Sequence, residues 1–243
     1  MRAVLFAVLL LAPIIASAQS VNIDLGTVGQ AGATSRLIQL TALITVLSVA
    51  PSLLVMVTGF TRIVIVLSLL RSAIGAQNIP PNTVVIGLAL FLTFFVMQPV
   101  FEQSYLVGLL PMSEGRLGEI EGITRAAEPF RQFMASTVRG ADLQMFLDMA
   151  HLPSTPTMTE APWRALVPAF CIGELRRAFE MGFLLYLPFL VIDIVVGSVL
   201  MSLGMMMLPP SGISLPFKLI FFVLVDGWRL VSGGLVQSFG ATN

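Results

Sequence analysis

Two carboxylates stand inside apolar runs. Asp193 lies in Leu187-Pro188-Phe189-Leu190-Val191-Ile192-Asp193-Ile194-Val195-Val196, and Asp226 lies in Leu224-Val225-Asp226-Gly227-Trp228. A charge at a bilayer centre costs about 2.5 to 3.5 kcal/mol on insertion scales, so each must be paired, protonated or kept out of lipid. Arg62, Lys218 and Arg229 are the candidate counter-charges. Two chemistries fit: structural pairing between helices, or a proton relay through Arg62, Asp193 and Asp226, as in a coupled transporter. A further cluster, Glu174, Arg176, Arg177 and Glu180, precedes the third apolar run. On a helix Glu174 and Arg177 stand three apart and Arg176 and Glu180 four apart, spacings that bring side chains together. These charges either close on one another at a solvated helix end, where such pairs contribute little, or meet complementary charges on adjacent copies.

Other reactive residue types are sparse. His151 is the single histidine and leaves no pair for zinc. Cys171, the single cysteine, excludes an internal disulfide and a cysteine metal cluster, and is most simply a small buried apolar residue. Ser52, Ser202 and Ser211 have no histidine base at plausible depth. Gly108, Gly115, Gly118 and Gly122 are too dispersed for a phosphate loop. Thirteen basic and thirteen acidic residues give zero formal charge, so no nucleic-acid surface is expected. The residues therefore describe a non-enzyme without metal or cofactor.

Met205-Met206-Met207-Leu208-Pro209-Pro210 is the remaining unusual stretch. Methionine has three rotatable bonds and a polarisable thioether, so three in a row make a surface that repacks around varied partners. The stretch suits a deformable seal or a plain elbow between helices. In either case Pro209 and Pro210 stop a helix and set the turn.

These residues need elements to position them. A mean hydropathy of +0.94 and 11% charged residues mark a membrane-associated protein. Residues 1–18 have the basic start, apolar core and Ala16-Ser17-Ala18 site of a signal peptide, the alternative being an uncleaved anchor. A periplasmic N-terminal segment, 19–36, follows. A first hydrophobic helical hairpin is expected over 37–101: the uncharged run Leu37 to Phe60, a piece bracketed by Arg62 and Arg71, a turn at Gly75 to Asn82, and a return through Val84 to Phe101. Residues 102–163 carry four arginines, eight acidic residues and five prolines, and read as a small helical periplasmic domain. Apolar residues at helical spacing there include Phe130, Phe133 and Phe146; so short a segment is expected to pack them against a neighbouring copy. A second hydrophobic hairpin, 164–243, runs down Phe183 to Leu203, turns at the methionines and returns through Ile213 to Val231. The fold class is all-α, with four hydrophobic helices expected in two long hairpins.

Pro168-Ala169-Phe170, followed by Glu174-Leu175, Ala178-Phe179 and Gly182-Phe183, resembles the signature of the FliP family, the flagellar export-gate proteins of bacterial type III secretion. Val55 to Asn82, Leu184 to Asp193, Gly204 to Pro210 and Ile213 to Trp228 resemble further family blocks, so the likeness covers about Leu40 to Val231. Gly173 departs from it, since a hydroxyl or histidine side chain is expected there. The resemblance implies a pore-forming subunit in the bacterial inner membrane, largely periplasm-facing within the flagellar basal body. It implies a homo-oligomer, a pentamer, assembled helically around a pore with FliR-type and FliQ-type subunits. FlhB-type and FlhA-type export components and a FliO-type assembly factor are the further partners, and unfolded flagellar subunits the cargo. Met205, Met206 and Met207 match the loop that forms a gasket across the closed pore, with Pro209 and Pro210 at its turn. In such a gate the apolar helices lie largely at and above the outer membrane boundary. Arg62, Glu174, Arg176, Arg177, Glu180, Asp193, Lys218 and Asp226 then make charge pairs between helices or subunits.

Overall fold

The computed structural model describes residues 41–240, except 42, 43, 46, 47, 50, 51, 53, 54, 77, 78, 154, 156, 206 and 207. The expected signal peptide and N-terminal segment, much of the run Leu37 to Phe60, and Met206 and Met207 lie outside the described residues. The chain divides into 1–49 and 50–243, and the second unit carries the architecture below. Among the described residues there is no strand.

The first helix described throughout is α1, Phe60–Ile74. Ile63, Val66, Leu67, Leu70, Ala73 and Ile74 recur at three- and four-residue steps and are all buried, so α1 is the centre of the main core. Gly75, at φ 79°, stops it, donating its N–H to the carbonyls of Arg71 and Ser72. The chain turns and enters α2, Asn82–Ser104, which packs back on α1. This helix continues through a π-helical turn, Tyr105–Leu109, and an α-turn, Leu110–Ser113. The composition change at Glu102 therefore falls inside a helix.

Two shorter helices follow, α3 (Glu119–Thr137) and α4 (Gly140–Met149). The π-turn lies hard against α3: Ser104 Oγ donates to Ala126 O at 2.7 Å, and a Cβ on Gly108 would sit 2.5 Å from Ala126 N. Met134, Ala135 and Val138 join Leu143 and Leu147 of α4 in a second core. Its other wall is Ala165, Leu166, Ala169 and Phe170, the start of α5, Trp163–Ser202. The polar segment thus finds its missing hydrophobic surface within the chain, on the first turns of the next helix.

At 40 residues, α5 is about 60 Å long. It begins some twenty residues before the descending run expected from Phe183, with Pro162 at its N-cap position and the Pro162 carbonyl accepting the Ala165 and Leu166 N–H groups. Gly182 lets it approach α1, since a Cβ there would fall inside the van der Waals envelope of Leu69. The chain returns as α6, Pro210–Leu224, and α7, Gly227–Gly240, bent by 63° from each other. The expected single run Ile213 to Val231 is therefore two helices, separated at Val225-Asp226, where Asp226 has φ 51°.

Among the described residues, two helices are long and apolar enough to cross a membrane, Asn82–Ser113 and Trp163–Ser202, with α6 and α7 a third if the bent pair counts as one. Of the four expected hydrophobic helices, the first, over Leu37 to Phe60, lies largely outside the described residues. The 15-residue α1 reaches only about 22 Å, short of about 30 Å of hydrocarbon, and is enclosed by its own chain.

Candidate functional site

Arg62 stands on the first turn of α1, pointing into the protein, and is 1% exposed. Its Nε donates to Glu174 Oε2 at 2.8 Å and its Nη2 to Glu174 Oε1 at 2.5 Å, a bidentate pair with α5. Nη1 donates to Ser238 O at 3.1 Å and Ser238 Oγ at 2.9 Å, and the guanidinium lies 3.8 Å over the Phe239 ring. Phe239 stacks on Phe133, which meets Phe170 edge-on. One buried cation therefore ties α1, α5 and α7 together, with α3 behind the ring.

A second joint lies nearer the hairpin tip. Lys218 Nζ of α6 donates to Asp193 Oδ2 at 2.6 Å and to Ala73 O at 3.0 Å, and Ser214 Oγ donates to Asp193 Oδ1 at 2.6 Å. The ammonium thus sits at the C-terminal end of α1, where a helix dipole favours a cation. Of the three candidate counter-charges, Lys218 is the one that Asp193 meets.

Within the chain, the Glu174 cluster pairs with other elements rather than with itself. Neither local pair forms. Glu174 is taken by Arg62; Arg176 Nη2 stands 3.6 Å from Asp142 Oδ1; Arg177 Nη2 donates to Thr137 O at 2.6 Å, at the C-terminal end of α3; and Glu180 stands 3.8 Å from Arg139. All four reach across to other elements of the same chain because α5 continues through the cluster instead of beginning after it. Asp226 is exposed at the α6–α7 break, where its carbonyl accepts the Leu230 N–H at 3.1 Å; among the described residues it makes no ion pair. Arg62, Asp193 and Asp226 thus have separate surroundings and do not line up as a relay. Cys171 is half-buried, its thiol donating to Met56 O at 3.4 Å.

The three phenylalanines expected to meet a neighbouring copy are engaged within the chain. Phe130 meets Phe101 of α2 edge-on, Phe133 sits between Phe170 and Phe239, and Phe146 packs on the second core. What α3 presents outward is Ile120 and Ile123.

At the tip, α5 ends at Gly204, φ 76°, whose N–H donates to Met201 O at 3.1 Å while Met205 N–H donates to Leu200 O at 3.0 Å. That is a Schellman motif, with glycine in the left-handed position. Gly204, not the proline pair, stops the helix. Pro209 and Pro210 instead start α6, at its N-cap and first position. Met205 is half-exposed between these ends.

Behind the tip, α5 and α6 flank a groove of about 600 Å³ lined only by apolar side chains, among them Val191, Val195, Ile213, Phe217, Ile220 and Leu224. Outward apolar faces extend along α2 at Phe91, Phe94 and Phe95, and along α5 at Phe183 and Leu184. So much exposed apolar surface exceeds what a soluble monomer shows. Composition and periodicity pointed to Arg62, Glu174, Asp193 and Lys218, but not to Ser214, Ser238, Phe239 or Asp142, which lack a local signal. Gly204 had one: a glycine directly after the last periodic residue.

An all-helical body with buried charge pairs and long outward apolar faces is a membrane-associated protein. The chain belongs to the FliP family, whose sequence profile matches residues 43–235. It is 59% identical over 228 residues to flagellar biosynthetic protein FliP of Caulobacter vibrioides, covering 93% of this chain and 85% of that one. It is 47% identical over 239 residues to the Agrobacterium fabrum protein of the same name, with 97% and 98% covered. With the Bacillus subtilis protein of that name it shares 50% over 205 residues, with 84% and 93% covered.

Proposed function

We propose that this chain is a pore-forming subunit of the flagellar protein-export gate, closed by its methionine tip and passing unfolded flagellar subunits across the inner membrane. The observation that carries the reading is the construction of that tip. Gly204 and Pro209-Pro210 end one apolar helix and start the next, and the Asp193–Lys218–Ser214 joint clips the two helices below it. Met205 is thereby presented on a braced hairpin. Flexible thioethers from several copies can close on one another and still yield to any passing sequence, and an uncharged ring excludes ions by dewetting.

The broad apolar faces of α2, α5 and α6 fit a homo-oligomer, a pentamer on the family's pattern, with FliR-type and FliQ-type subunits. FlhB-type, FlhA-type and FliO-type components are further partners. The reading assigns the chain no catalytic step and no cofactor. Replacing Met205, Met206 and Met207 with glycine is expected to leave assembly intact and make the membrane leak ions, measured as ion permeability at matched gate levels. Unchanged permeability sinks the gasket.

A further inference from the structure

Gly173 sits inside α5 with no steric reason to be glycine. A glycine weakens a helix interior relative to alanine. At Gly182 and Gly108 a close neighbour accounts for that cost, whereas a Cβ on Gly173 would meet one atom only, Asp142 Oδ2, at 4.0 Å, an ordinary van der Waals distance. That same oxygen is, among the described residues, the buried side-chain polar atom left without a hydrogen-bond partner. Asp142 is 6% exposed on the first turn of α4. Its other oxygen stands 3.6 Å from Arg176, too far for a direct hydrogen bond. A buried carboxylate oxygen without a donor has given up hydration for nothing in return. The other ion pair between the start of α4 and α5, Arg139 with Glu180 at 3.8 Å, is also long and lies in solvent. Leu143 and Leu147 therefore hold α4 by apolar contact while its polar side stays unfinished.

We propose that the notch between Gly173 and Asp142 is a single-donor site, sized for a hydroxyl, that sets how firmly α4 docks on α5. With glycine at 173 the site is open, and α4 opens locally ahead of the body around Arg62. A hydroxyl carried on a Cβ at 173 lies one bond beyond the 4.0 Å contact and, pointed at Oδ2, comes within hydrogen-bond range and clamps α4.

Hydrogen exchange on the purified full chain in detergent tests this with G173A and G173S, each alone and combined with D142A. Both substitutions remove the glycine, but only serine adds a donor. The α4 amides are expected to exchange about tenfold more slowly in G173S than in G173A, as a hydrogen bond to a charged group implies, although serine is the poorer helix former. Amides of α1 stay unchanged, and with D142A the serine advantage disappears. Equal α4 exchange in G173S and G173A overturns the proposal, as does a serine advantage that survives D142A. Failure of G173S to fold where G173A folds also overturns it, since an open site admits the hydroxyl.

Discussion

Removing the Glu174 carboxylate isolates the buried joint. In Glu174→Ala the Arg62 guanidinium, 1% exposed, loses two of its four hydrogen bonds and keeps Ser238 O, Ser238 Oγ and the Phe239 ring. Stripping a buried charge of its partner costs about 3 to 5 kcal/mol, against about 5 to 15 kcal/mol of total stability for a typical domain. At about 1.4 kcal/mol per factor of ten, the unfolded fraction rises by about two to three and a half orders of magnitude. The pair also carries a desolvation cost of its own. The double replacement Arg62→Met with Glu174→Leu, which removes both charges and keeps apolar volume, is therefore expected within about 1 kcal/mol of the parent. Thermal melting in detergent, with the amount of protein retained in membranes as a second readout, should show both single variants strongly weakened and the double one recovered. Melting of Glu174→Ala within a degree of the parent, or a double variant no better than the worse single one, would refute the claim that this pair is desolvated and coupled.

Lys218→Met leaves Asp193 and Ala73 O without their cation; because Asp193 is 28% exposed and can rehydrate, the loss is expected at about 1 to 3 kcal/mol. It should appear first as faster proteolysis at the 203–210 tip, and an unchanged cleavage rate would count against the clip. Gly182→Val drives a side chain into Leu69 and should cost about 1 to 3 kcal/mol, part of which Leu69→Ala restores in melting experiments. Gly204→Ala forces a side chain into a left-handed position, costing about 1 to 2 kcal/mol, whereas Pro209→Ala should cost clearly less. The opposite order of melting temperatures would mean that the prolines end α5.

How far the fold could be read from residues depended on the range of the signal. Turns with local chemistry were legible in place, as where Gly75 to Asn82 joins α1 to α2; at the second tip the proline pair was taken for the helix stop, whereas Gly204 ends α5 and Pro209-Pro210 begin α6. Helix limits set by caps rather than by hydropathy were not. The apolar run starts at Phe183, but α5 starts at Trp163, where the Leu166 N–H already bonds the Pro162 carbonyl; hydropathy records the surroundings of a segment, not where its hydrogen bonding begins. Charge partners show the same division. Spacing offers only neighbours three or four residues away, so Glu174 was matched with Arg177, while its real partner lies 112 positions earlier. That contact exists because Gly182 lets α5 approach α1, a packing event that no local window contains.

Arg62 and Glu174 are buried and paired with each other inside one chain, and the buried Lys218 is paired with Asp193. In the proposed oligomer, contacts between copies cannot then draw their specificity from those charges without breaking joints that hold the helices of this body together. The apolar surface open to the proposed assembly is on the outward sides of α2 and α5 and in the groove between α5 and α6. In the proposed oligomer, register between copies then comes from the shape of these faces.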